Sequence, residues 1–82
     1  MERLRNLSER EHRLLDLAPV AKAWVYESAK VNNSLLPEPI RLEAKVLKDA
    51  FMEYMLDDAK KGGLILGKLL QFQQWEIESG KS

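Results

Sequence analysis

The chain has no cysteine, a single histidine and no net charge, its 13 basic residues being matched by 13 acidic ones. Each shortage excludes a class of chemistry. Without cysteine there are no disulfides, no thiolate nucleophile and no sulfur-ligated metal. One histidine does not make a metal staple. A neutral total gives no overall electrostatic footprint for nucleic acid, although a local basic patch can survive the cancellation. No apolar run approaches the roughly 18 residues that a membrane span needs. Met1-Glu2-Arg3-Leu4-Arg5 lacks the apolar segment of a signal peptide. The expectation is a cytoplasmic protein with no membrane association and no cofactor.

What is present reads as one small helical domain over residues 1–78, with Ser79-Gly80-Lys81-Ser82 as a disordered tail. A hydrophobic fraction of 45% argues against disorder of the whole. Eighty-two residues bury only about 60% of the unfolded surface, so stability is marginal without help. Disulfides and metals being excluded, oligomerisation or docking on a partner remains.

The stretch Glu38 to Lys61 organises the rest. Pro39 stands where a first helical residue would, and Gly62-Gly63 supply the left-handed ending that closes many helices. Lys60 and Lys61 suit the negative end of the helix dipole. Placed at 100° per residue, the helix shows two apolar stripes. One is Ile40, Ala44, Leu47, Phe51, Tyr54 and Met55; the other is Met52, Leu56 and Ala59, with Leu42 at its margin. Asp49, Glu53 and Asp57 run between them as a solvated acidic band.

Around this long central helix the pattern predicts an all-α bundle of three to four helices, near 8–17, 19–31, 39–61 and 64–78. Ser8 and Glu11 have capping-box spacing, and Glu9 with Arg13 makes a favourable four-residue pair. Leu14, Leu15 and Leu17 give an apolar edge. Pro19 breaks the chain after Leu17-Ala18 and opens a second helix with Trp24 as its peg among small residues. Asn32, Asn33 and Ser34 favour a turn, in which Leu35 and Leu36 either fold back on the core or meet a partner. Leu64 to Glu78 as a helix is apolar over most of its circumference, the mark of a sandwiched helix, although Leu70-Gln71-Phe72 and Trp75-Glu76-Ile77 also alternate as strands do. The predicted core is Trp24, Leu47, Phe51, Tyr54, Leu69 and Phe72, with Phe51→Ala costing about 3–5 kcal/mol.

Motifs with chemical meaning do not develop. Glu9-Arg10-Glu11-His12 has the Glu-x-x-His spacing of di-iron bundles, but that site needs a second copy of the motif. A single straight face bearing Asp49, Glu53 and Asp57 does not enclose a cation. Gly62 to Lys68 matches the glycine and lysine spacing of a phosphate loop, yet Leu69 replaces the magnesium-binding hydroxyl and a helix precedes it. No nucleophile–base pair is present, so no catalytic residue is assigned and an enzyme is not expected.

Leu7-Ser8-Glu9-Arg10-Glu11 followed by Leu14-Leu15 resembles the entry helix of LuxR-type helix-turn-helix regulators over about ten residues. The scaffold helix and Thr/Val-bearing recognition helix of that family have no counterpart in Pro19 to Ser34. Its recognition residues therefore map to no position here.

Two functions compete at this point. The first is a non-enzymatic module that regulates or assembles by binding protein, most simply as a homodimer. Its expected interface is Met52, Leu56, Ala59 and Trp75, with Leu35 and Leu36; Leu56→Glu should then give monomers or unfolded chain. The second is a DNA-binding transcriptional regulator using Arg3, Arg5, Arg10 and Arg13, with Lys22, for phosphate contacts.

Overall fold

The computed structural model describes residues 8–80. The chain forms a small all-α bundle, with four helices and no strand among the described residues. They are α1 (Glu9–Leu15), α2 (Pro19–Val31), α3 (Glu38–Lys60) and α4 (Ile65–Gly80).

Local chemistry accounts for the boundaries. Ser8 is extended and begins α1 with a complete capping box. Its hydroxyl accepts from the Glu11 N–H at 3.2 Å, while Glu11 Oε1 accepts from the Ser8 N–H at 3.2 Å. Pro19 opens α2, where its missing N–H costs nothing. In the following turn the Leu35 N–H donates to Asn33 Oδ1 at 3.0 Å, and Arg41 Nε donates to the Leu36 carbonyl at 3.2 Å. Helix α3 starts one residue earlier than expected, so Pro39 is its second residue. It ends in a paired closure: the Gly62 N–H donates to the Ala59 carbonyl at 3.0 Å and the Gly63 N–H to the Asp58 carbonyl at 2.8 Å. Gly62 adopts the left-handed φ of 89° that this closure requires.

Helices α2 and α3 form a closely packed hairpin, with α4 laid against α3 and the short α1 against α4. The core consists of Leu14, Leu17, Ala21, Val25, Met55, Leu69 and Phe72, with Ala44 buried on the inner side of α3. Val20, Trp24, Met52, Ile65, Leu66 and Trp75 pack around it, half-buried.

Several expectations are corrected. Leu69 and Phe72 are core, but Leu47 and Tyr54 are 39% and 59% exposed. The buried line of α3 keeps Ala44 and Met55 of the first stripe, with half-buried Lys48 on it, and leaves Ile40, Leu47 and Tyr54 of that stripe exposed. Phe51 and Met52, one from each stripe, flank it half-buried, and the acidic band faces the opposite, solvent side. On α2 the small residues Ala21 and Val25 face inward, allowing close approach, so Trp24 is half-buried at the edge with Lys48 Nζ 5.7 Å from its ring. Helix α4 is not sandwiched: Leu70 and Ile77 lie in solvent, because α1 and α3 cover only one of its sides. It also continues through Ser79 and Gly80, two residues into the expected tail, extended by a Gln74–Glu78 side-chain bond of 3.0 Å; Lys81 and Ser82 lie outside the described residues. Leu35 is 91% exposed and is no plug, while Leu36 is half-buried.

Candidate protein-interaction surface

The residues expected to form one interface are dispersed. Met52 and Trp75 both lean on the core. Trp75 packs against Phe72, ring centroids 5.9 Å apart, and carries the Arg13 guanidinium 4.6 Å from its centroid. Both are half-buried by these contacts within the chain. Leu56 (46% exposed) and Ala59 remain outside, on α3. Leu35 sits in the turn before α3, roughly 30 Å from Leu56 at 1.5 Å rise per residue. They do not make a single patch.

The arginines proposed for DNA are similarly divided. Arg3 and Arg5 lie outside the described residues. Arg10 Nε donates to Glu76 Oε2 at 2.6 Å and its guanidinium lies 5.7 Å from the Phe72 ring centre. Arg13 pairs with Glu9 at 3.1 Å besides covering Trp75. Both fasten α1 to the bundle rather than standing ready for phosphates. Lys22 is half-exposed on the next helix, α2.

A different surface is left uncovered by the fold. On α3, Leu47, Ala50 and Tyr54 recur at steps of three and four and are exposed, with Ile40 about two turns earlier. Tyr26 on α2 is likewise exposed, at 55%. An open groove of about 530 Å³ joins the two helices at one end, lined by Pro19, Val20, Ala50, Phe51, Tyr54 and Ile65 among others. Sequence reasoning assigned Leu47 and Tyr54 to the core and overlooked Tyr26. The available signal was the Glu43-Leu47-Ala50-Tyr54-Asp57 spacing, which forms its own seam beside the buried line.

A second, polar depression of about 290 Å³ lies where Arg10, Trp24, Ser28, Lys48, Gln73 and Glu76 meet. Trp24 Nε1 and Ser28 Oγ are shielded from solvent without a hydrogen-bond partner among the described residues. Because those atoms are sealed, they offer no accessible donors to a ligand in the depression. No group of three or more metal-ligating side chains occurs among the described residues, and no helix there is long and apolar enough to cross a membrane. No protein-family model matches this chain, nor does any curated protein or solved structure.

Proposed function

We propose that this chain is a non-enzymatic helical module that acts by binding protein, regulating or assembling its partner by occupancy. The observation that carries the reading is the exposed apolar line of Leu47, Ala50 and Tyr54 along α3, with Tyr26 also in solvent on α2. Aromatic side chains lose little entropy on contact and concentrate at binding surfaces. The surrounding charges keep the face soluble while it waits for a partner.

The test is a photo-reactive amino acid placed at Leu47, and at Glu9 on α1 as a control, in cells that make the protein. Covalent protein adducts are expected from position 47 and not from position 9. No adduct at 47 removes the reading. A DNA-binding role through Arg10 and Arg13 makes a separate forecast, a steep fall of affinity for duplex DNA as salt rises. Arg10 and Arg13 are already paired with Glu76 and Glu9, so only weak binding is expected at low salt.

A further inference from the structure

We infer that Asn33, in the turn between α2 and α3, is a site of spontaneous covalent modification, its side-chain amide cyclising onto the Ser34 nitrogen and opening to aspartate or isoaspartate. This goes beyond the binding reading and does not depend on it.

The turn supplies each condition that the reaction needs. The Leu36 N–H donates to the Asn33 carbonyl at 3.1 Å, closing a β-turn with Ser34 and Leu35 at its centre. Both central residues have negative φ, as in a type I turn. The Leu35 N–H donates to Asn33 Oδ1 at 3.0 Å. That bond folds the side chain forward along the backbone past Ser34 and draws electron density from Cγ. The Ser34 N–H and Asn33 Nδ2 have no hydrogen-bond partner among the described residues, so nucleophile and leaving group are both free. Asn32, Asn33, Ser34 and Leu35 are all exposed, and the small Ser34 side chain leaves its nitrogen approachable. Asn32 lacks the free nucleophile. The nitrogen that would attack it belongs to Asn33 and donates to the Lys30 carbonyl at 3.1 Å.

Hydroxide takes the Ser34 amide proton, and the nitrogen attacks Asn33 Cγ. A Cγ–N bond forms, the Cγ–Nδ2 bond breaks, and Nδ2 leaves as ammonia with a proton from water. Water then adds to either carbonyl of the cyclic imide. The ring opens to aspartate or, with the main chain routed through Cγ, to isoaspartate. No oxidant or reductant takes part. Either product places a carboxylate just beyond the end of α2, at the negative pole of its dipole, and beside Leu35, which is 91% exposed. Isoaspartate also lengthens the main chain and shifts the carbonyl that closes the turn.

The test is incubation of the full chain at mildly alkaline pH, folded and in guanidinium chloride, followed by peptide mapping that distinguishes aspartate from isoaspartate. Trypsin cuts after Lys30 and Arg41, so both asparagines report from one peptide. The folded chain is expected to convert at Asn33, to both products, with Asn32 intact, whereas guanidinium should open Asn32 to conversion as well. Ser34→Pro should stop the conversion, because proline has no N–H to give and suits the first central position of this turn. Ser34→Gly should quicken it by baring the same nitrogen, and it reads that nitrogen even if circular dichroism shows the proline chain unfolded. No conversion at Asn33 in the folded chain overturns the inference, as does equal conversion at Asn32. Conversion that continues in a folded Ser34→Pro chain, or that yields aspartate alone in the wild type, overturns the cyclic route.

Discussion

Ser8, Gly62 and Gly63 show how single residues set where the chain turns. Ser8→Ala removes the hydroxyl half of the capping box and should destabilise the fold by about 1 kcal/mol in urea unfolding. Gly62 has a positive φ, so alanine there should cost roughly 1 kcal/mol through backbone strain. Gly63 is constrained for another reason. A Cβ built at Gly63 would overlap the Asp58 carboxylate, which lies over it with Oδ2 shielded and without a hydrogen-bond partner among the described residues. Gly63→Ala should therefore destabilise the wild type but cost less once Asp58→Ala has cleared the space. A double-mutant cycle reads that difference, and equal costs in the two backgrounds would show that the carboxylate moves aside freely.

Among the elements, α3 carries the sharpest contrast. Met55 and Leu69 are both fully buried, and truncating either to alanine should cost about 2–5 kcal/mol. Leu47→Ala should scarcely change the stability of the single chain, because that side chain keeps its solvent contact. Phe51 lines the open groove half-buried, so Phe51→Ala should lose roughly half of what a sealed phenylalanine does. Leu56→Glu should leave the single chain folded on the same argument, its site being about half exposed. Helix α1 makes a different point. Seven residues are too few for a stable isolated helix, so α1 depends on what holds it to α4. Those holds are Leu14 and Leu17 in the core, the Arg10–Glu76 pair and Arg13 over Trp75. The ion pair is partly exposed and worth well under about 1 kcal/mol, whereas the Trp75 ring is a larger packing surface. Trp75→Ala should speed hydrogen exchange across residues 9–15 far more than Glu76→Gln.

At the scale of the whole molecule, a chain this small has little stability in reserve, and association adds to it by mass action. If two copies join, the melting temperature should rise by a few degrees for each tenfold increase in protein concentration. Differential scanning calorimetry at several concentrations reads this, and a constant Tm would count against any self-association.

Period and punctuation were enough to define the elements from sequence. Ser8, Pro19, Asn33, Pro39 and Gly62 act on their own backbone or on neighbours within a few residues, so their effects are legible without a fold. The inward side of α3 was not legible. The core takes only Ala44 and Met55 from the first apolar stripe, and Lys48, a charged residue, sits on the same buried line. A lysine there is tolerated because its ammonium reaches the Trp24 ring while its stem covers apolar surface. Only the meeting of α2 and α4 with α3 decided which strip the core would take. That choice turned Leu47 and Tyr54 outward, drew Met52 and Trp75 inward, and so moved the candidate surface from one side of the helix to the other. Helix-forming chemistry is local and readable in sequence; which face a helix buries depends on neighbours distant in the chain, and that belongs to the tertiary structure.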